Sequence, residues 1–138
     1  MLGDNILEDD IGNAVKDFDK QDKGAKIFLK QVKNPKSFGV AEVRGDKIIG
    51  IEEKPKNPKT HLAVIGVYMF DSEVWKIIKT LKPSSRNELE ITDVNNYYVS
   101  QGTMTYQILQ GWWGDGGESF DSLLEAANLV FQKENNKK

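Results

Sequence analysis

Apolar residues along this chain change their spacing several times, and each change predicts a new element. Ile6, Leu7, Ile11, Val15 and Phe18 recur near helical spacing, which predicts a helix from Ile6 to about Phe18 with Gly12 as its weak point. Ala25 to Val32 carries Ile27-Phe28-Leu29 and is closed by the breaker Asn34-Pro35, as a short buried strand would be. Phe38 to Val43 and Lys47 to Ile51 read as strands, with Gly45-Asp46 as the tight turn between them. Pro55 and Pro58 make Lys54 to Lys59 a loop. Ala63 to Phe70 is apolar throughout and rich in β-formers, the pattern of a strand buried on both faces.

Further on, Val74, Ile77, Ile78 and Leu81 fall at i, i+3, i+4 and i+7, an amphipathic helix stopped by Pro83. Ile91, Val94, Tyr98 and Val99 mark another, with Gly102 just past its end. Met104 to Leu109 reads as a strand. Phe120, Leu123, Leu124, Ala127 and Phe131 mark the last helix, with Ser119 as its N-cap. Strands and helices alternate, interrupted by one hairpin. The expectation is α/β, with a mixed, largely parallel sheet flanked by helices. Residues 1–132 form one domain, and residues 133–138 form a frayed polar tail.

Composition narrows the function classes. Charged residues make up 29% of the chain, both signs are interspersed, and the net charge is −2, so no basic field points to nucleic acid. There is no cysteine, which excludes disulfides, thiolate metal sites and a cysteine nucleophile. No apolar run reaches the roughly 18 residues of a membrane span. MLGDNILEDD lacks the basic-then-apolar order of a secretory signal, and a cytoplasmic location is expected. Leu2 followed by Gly3-Asp4-Asn5 reads as a strand end entering a loop, with the strand itself upstream.

Two loop aspartates stand out. Asp4 follows that presumed strand end, and Asp115 lies in Gly114-Asp115-Gly116-Gly117 between a strand and a helix. Ligands of α/β sheets gather at such places. Two carboxylates there suit Mg²⁺, which takes oxygen ligands together with substrate phosphates; the alternative is two ordinary turn residues. Glu53-Lys54-Pro55 ends a strand. Its carboxylate suits polyol hydroxyls and its ammonium suits a phosphate, unless this is merely a solvated strand end. Arg86, in a polar loop, is either a phosphate fork or a surface cation. His61, the only histidine, is expected at the surface, and Trp112, Trp113 and Tyr68 in core or pocket wall. Neither G-x-x-x-x-G-K-[ST] nor G-x-G-x-x-G occurs, and no Ser-His-Asp set is credible.

Taken in order, LGDN, FGVAEV, EEKPKNP, AVIGVYMF, LKPSSRNELEITDVN, GWWGDGG and SLLEAANLV resemble the glucose-1-phosphate thymidylyltransferases, within the sugar-1-phosphate nucleotidyltransferases. The likeness runs nearly to the polar tail and implies an incomplete Rossmann-like nucleotidyltransferase domain. It implies that dTTP and glucose 1-phosphate give dTDP-glucose and pyrophosphate with Mg²⁺, chiefly by positioning and charge neutralisation. Carried over, Asp4 and Asp115 match the metal-binding aspartates. Gly39 matches the glycine whose backbone faces the sugar, Glu53 the carboxylate on sugar hydroxyls, and Lys54 the lysine on the sugar phosphate. Val64 and Gly66, with Tyr68 beside them, match the strand lining the sugar site, and Arg86 matches a phosphate-contacting arginine.

The chain departs from the family at Glu118, an acid where a neutral or basic residue is usual, and at Asn87, where glycine is usual. Asn87 is a mild change if the backbone there is left-handed. The family's glycine-rich triphosphate loop, with its arginine and lysine, has no counterpart in these residues, so no catalytic residue is assigned here. The implied partners are a sugar 1-phosphate and a nucleoside triphosphate, with self-association through an uncovered sheet edge. The alternative is a non-catalytic paralogue that binds sugar phosphate or associates with a full-length enzyme.

Overall fold

The computed structural model describes residues 1–117 and 119–135. Glu118 and the last three residues of the expected tail lie outside them. Seven strands are formed: β1 Asn5–Leu7, β2 Ala25–Gln31, β3 Gly39–Arg44, β4 Lys47–Glu53, β5 Leu62–Phe70, β6 Met104–Ile108 and β7 Trp113–Asp115. Four helices accompany them: α1 Gly12–Asp19, α2 Val74–Ile78, α3 Ile91–Ser100 and α4 Phe120–Asn135. A short 3-10 turn occupies Pro35–Ser37.

Five strands form one sheet in the order β4-β3-β5-β2-β6, while β1 and β7 form a separate pair. The α/β class and the mixed sheet are as expected. The proportion is not: β2 and β6 run parallel, but β2–β5, β3–β4, β3–β5 and β1–β7 are antiparallel. Parallel neighbours need a long crossover, and the connections from β3 to β4 and from β4 to β5 are too short to supply one. The sheet curls until its edge strands β4 and β6 approach each other.

Alternation along β2 builds the core. Ile27 and Leu29 face Ala41, Ile48, Ile51 and Val64, while Phe28 faces Ile65, Val67, Leu109 and Ala14 of α1. A third cluster joins Ala25 to Val74, Ile77, Val94 and Tyr98, seating α2 and α3. The exposed edge of β4 is blunted by Asn96 of α3. Its carboxamide accepts from the Ile51 N–H at 2.9 Å and donates to the Ile51 carbonyl at 2.7 Å, standing in for another strand.

The expected hairpin forms, with Arg44 opposite Lys47 and Gly45 at φ 64°. The first helix starts six residues later than its apolar spacing predicts. Ile6 and Leu7 belong to β1, and the Asp10 carboxylate accepts the Gly12 N–H at 2.8 Å where the helix begins. Asp4 accordingly lies directly before a strand that the apolar spacing does not predict. The second helix is shorter than predicted: it stops at Ile78, and the Thr80 hydroxyl takes the Ile77 carbonyl. At the C-terminal end, α4 extends through Lys133–Asn135, the first three residues of the expected tail. Lys133 reaches back to the Glu8 carbonyl at 3.2 Å and sits over the Trp112 ring.

Ser119 caps α4 as predicted, its hydroxyl accepting the Ser122 N–H at 3.1 Å. The apolar stripe of that helix does not enter the core. Ala126 is its buried residue, packed close to Gly114 of β7, whereas Phe120 is 90% exposed and Leu123, Leu124 and Phe131 are exposed with it.

Candidate functional site

A cleft of about 230 Å³ opens between the ends of β3, β4 and β5, the start of α3 and the β1–β7 pair. Gly39, Glu53, Lys54, Val64, Gly66, Tyr68 and Asp115 all line it. Its remaining wall includes Asn5, Phe38, Thr92, Asn95 and Trp113. Residues far apart in sequence thus reach one cavity because β3 starts where β4 ends and the middle of β5 runs on past both.

Glu53, the last residue of β4, is fixed by the Thr92 hydroxyl, which donates to Oε2 at 2.5 Å. Gly39 lies directly opposite in the β3–β4 ladder. A Cβ on Gly39 would come within 3.3 Å of that Glu53 oxygen, so glycine keeps the carboxylate reachable. Lys54 follows with φ 43°, a left-handed backbone that is uncommon for a side chain of this size, and its N–H donates to the Phe38 carbonyl at 3.0 Å. That twist turns the exposed lysine away from the strand's pleat at the cleft mouth. Among the described residues its ammonium forms no ion pair.

Asn5 ties the cleft together. Its side-chain oxygen accepts from the Gly66 N–H at 2.9 Å and the Trp113 indole N–H at 2.8 Å, and its amide donates to Asp4 Oδ1 at 2.9 Å. A Cβ on Gly66 would lie 2.6 Å from Asn5 Nδ2, so Gly66 is required for this approach. Trp113 also meets Phe38 edge to face at 5.2 Å and forms pocket wall, as expected of it.

Asp4 and Asp115 are brought together by the β1–β7 ladder, in which Asn5 sits opposite Asp115. Gly116 N–H donates to the Asp4 carbonyl at 2.8 Å, and Gly117 N–H to Asp115 Oδ1 at 3.0 Å. A Cβ on Gly117 would collide with Asp4 Oδ2, so the glycine leaves room around that oxygen. Asp4 Oδ2 and Asp115 Oδ2 keep no hydrogen-bond partner among the described residues. Two hard oxygen donors left open fit Mg²⁺, which takes one or two carboxylates and completes its shell with phosphate and water. Among the described residues no group of three or more His, Cys, Asp or Glu side chains converges. Among the described residues this pair is therefore the protein's share of such a shell.

Tyr68 reports the local electrostatics. Its hydroxyl pKa is pushed up to about 12, first by burial and then by the charges of Glu53, Asp115 and Asp4. Three carboxylates therefore surround one side of the cleft, a field that disfavours a bound anion until a cation enters.

The loop before β7 is held from both sides. Lys30 Nζ donates to the carbonyls of Leu109, Gln110 and Gly111 at 3.3, 3.1 and 2.6 Å. Asp9 accepts from the Gln110 and Gly111 N–H groups at 2.8 and 2.7 Å, and Glu8 from Trp112 N–H at 2.9 Å. This clamp sets where Trp113 and Asp115 emerge.

Two predicted residues do not line the cleft: Asp4, which lies beside it against Gly117, and Arg86. Its guanidinium pairs with Glu88 and, at 3.1 Å, with Glu90. The hydrogen bond to Glu88 is the main reason its pKa is raised; Glu53 adds a small electrostatic contribution, so the guanidinium lies within field reach of the cleft. Asn87 beside it has φ 60°, the left-handed backbone that makes asparagine a mild replacement for glycine. His61 is exposed, with Nδ1 3.1 Å from the Val32 carbonyl, and has no place in the cleft. Asn5, Thr92 and Asn95 are the wall residues that pattern reasoning passed over. The dipeptide Asp4-Asn5 and the Thr92/Asn95 spacing, one helical turn along α3, were the available signals.

The curled mixed sheet thus holds the Asp4 and Asp115 carboxylates beside the cleft. Residues 1–133 match the family model described as Nucleotidyl transferase, and the chain belongs to that family. Among curated relatives it is 41% identical to the low-salt glycan biosynthesis nucleotidyltransferase of Haloferax volcanii, across 99% of this chain and 39% of that protein. It is 43% identical to the glucose-1-phosphate thymidylyltransferase of Neisseria meningitidis, across 94% of this chain and 46% of that protein. A crystal structure from Bacillus anthracis, of a protein proposed to be a glucose-1-phosphate thymidylyltransferase in complex with sucrose, superposes with a TM-score of 0.86 at 52% identity. That match covers 94% of this chain and 52% of that one. UDP-glucose pyrophosphorylase complexed with UDP-glucose superposes at 0.82 with 22% identity, which speaks to the fold alone. The chain thus spans less than half the length of these curated relatives. No helix among the described residues is long and apolar enough to cross a membrane.

Proposed function

We propose that this chain carries the sugar-phosphate and metal half of a glucose-1-phosphate thymidylyltransferase. The whole enzyme would make dTDP-glucose and pyrophosphate from dTTP and glucose 1-phosphate. The single observation behind this reading is the cleft itself, in which Gly39, Glu53, Lys54, Val64, Gly66, Tyr68 and Asp115 meet. The sugar lies against Gly39, Val64 and Gly66, with Glu53 accepting its hydroxyl protons and Tyr68 as side wall. Lys54 takes the phosphate at the mouth, and Arg86 joins it once it leaves Glu88 and Glu90. Asp4 and Asp115 would hold Mg²⁺, whose role when bound is to neutralise phosphate charge next to three carboxylates.

In the reaction, a sugar-phosphate oxygen forms a bond to the α-phosphorus of the triphosphate. The bond from that phosphorus to the bridging oxygen breaks, and pyrophosphate leaves. This chain's part is to orient the attacking phosphate and shield its charge. These 138 residues contain no glycine-rich loop with the arginine and lysine that grip a triphosphate. The chain alone is therefore expected to bind glucose 1-phosphate with Mg²⁺ and to release no dTDP-glucose. Calorimetry with glucose 1-phosphate and a chromatographic assay with dTTP test both parts. Robust turnover by the chain alone, or no sugar-phosphate binding, would sink the reading. Repeating the assay with each nucleoside triphosphate on a protein restored to the length of its relatives tests the thymidine preference.

A second reading is a non-catalytic paralogue that binds sugar phosphate and associates with itself or with a full-length enzyme. What favours it is the outward apolar stripe of α4, with Phe120, Leu123, Leu124 and Phe131. Light scattering that finds a strict monomer at high concentration would count against it.

A further inference from the structure

Asn95 lies in the middle of α3 and is 0% exposed, yet neither its side-chain oxygen nor its nitrogen has a hydrogen-bond partner. No other buried side chain among the described residues is left this way. A carboxamide presents one acceptor and two donors, and burying it unpaired is costly. Asparagine is also a poor residue for a helix interior. The position is therefore a poor choice for stability alone, and what it borders becomes the question.

It borders the cleft. Asn95 lines the cavity that Glu53, Gly39, Tyr68 and Val64 line, one helical turn after Thr92. The neighbouring polar groups are already committed. The Thr92 hydroxyl is spent on Glu53, and the Asn5 oxygen on Gly66 and Trp113. The Asn96 carboxamide, next in sequence, is spent on both backbone groups of Ile51. Asn95 is the fully buried carboxamide left over at the cavity, beside the hydroxyls of Tyr68 and Ser37 that also line it.

We propose that Asn95 is a sugar-reading residue whose carboxamide hydrogen-bonds hydroxyl groups of the hexose in this cleft. A sugar hydroxyl is itself a donor and an acceptor, so it complements a neutral amide, whereas a phosphate oxygen satisfies only its N–H side. Glu53 accepts hydroxyl protons but cannot donate. Asn95 adds a buried donor beside its acceptor and so helps decide which hydroxyl pattern is retained, because a site built to pair a hydroxyl rejects an analogue lacking it. The inference rests on the cleft being the sugar site.

The test is calorimetric titration of the 138-residue chain with Mg²⁺ and glucose 1-phosphate, then with its 2-, 3-, 4- and 6-deoxy analogues. The wild-type chain, Asn95→Ala, Asn95→Leu and Glu53→Gln are compared, with each melting temperature recorded. Both Asn95 variants should keep or raise the melting temperature. They should bind glucose 1-phosphate roughly tenfold more weakly and lose the wild-type preference over one particular deoxy analogue. If all five ligands weaken equally, or if both variants melt well below wild type, Asn95 is structural and the inference is overturned. Unchanged binding in the Asn95 variants with a loss in Glu53→Gln overturns this inference while the sugar site stands. No binding by the wild-type chain overturns both.

Discussion

The Trp113 indole N–H and the Gly66 backbone N–H donate to one oxygen of Asn5, at 2.8 and 2.9 Å, and that shared acceptor joins β7 to β5 through β1. Asn5 is buried, so its removal strands two donors where water cannot readily replace it. Asn5→Ala is expected to cost roughly 2–4 kcal/mol in urea denaturation. Asn5→Asp keeps the acceptor but places a second negative charge against Asp4, and should be destabilised with a loss that grows from pH 4 to pH 7. A neutral outcome for Asn5→Ala would mean the two donors find other partners.

Lys54 spends backbone strain at the cleft mouth, with φ 43°. Glycine adopts that conformation freely, although it loses more entropy on folding. Lys54→Gly should therefore raise stability by up to about 1 kcal/mol while weakening glucose 1-phosphate binding at least tenfold. Thermal melts and calorimetry on the same preparation check both. A variant that binds as wild type does would remove Lys54 from the phosphate site.

Asp71 predicts an acid-sensitive joint outside the cleft. Burial acts to raise its pKa, but the Gly24 N–H, the Tyr98 hydroxyl and the Glu73 N–H outweigh that effect and hold it below its ordinary value. A depressed carboxylate stabilises the fold above its unfolded pKa, near 3.9, and that contribution disappears as pH falls through the lower folded value. Asp71→Asn should be less stable than wild type at pH 7, and the two should converge as the pH falls below about 4. Parallel denaturant curves that stay equally separated across that range would contradict the assignment.

Tyr68 should titrate near pH 12 in an absorbance titration of tyrosinate. Because the folded value is raised, its stabilising contribution is complete below about pH 10 and is lost as pH rises through the folded value. Asp4→Asn combined with Asp115→Asn removes two of the three charges that raise it and should move the Tyr68 midpoint down. The midpoint should remain above 10, since burial is the larger cause. An unmoved midpoint would place the two aspartates too far from the ring to share a ligand with it.

What the sequence disclosed follows from how local each signal is. The β3–β4 hairpin, β2, β5 and α3 were legible because period, breaker and turn residues all lie within about ten positions. The left-handed backbone at Asn87 could likewise be anticipated from a single substitution. Strand direction was not legible: a fully apolar run such as Ala63–Phe70 describes an interior strand of either sense, and only the short connections decide. β1 and β7 escaped because three-residue strands carry no period, and their pairing is written in residues at opposite ends of the chain. Lys30, Glu8 and Asp9 carry no local signal, because their carbonyl and amide partners lie 79 to 104 positions away. Asn5, Thr92 and Asn95 carry none either, because a single polar residue in an apolar stretch does not tell a wall facing a cleft from one facing water. The pairing of Arg86 with Glu90 was legible in part, since the i, i+4 spacing already offers that partner.

The carboxylate pair depends on a three-residue strand pairing whose partners, such as Asn5 and Asp115, come from opposite ends of the chain. So short a ladder, closed over so long a loop, gains its register late and gives it up early. The five-stranded sheet can persist while this strip frays. Amide exchange at Asn5–Leu7 and Trp113–Asp115 should then be governed by local opening and be faster than in β2 and β5. Whatever bridges Asp4 and Asp115 would slow that exchange, so the half-site's occupancy can be read from the breathing of six backbone amides with no turnover required.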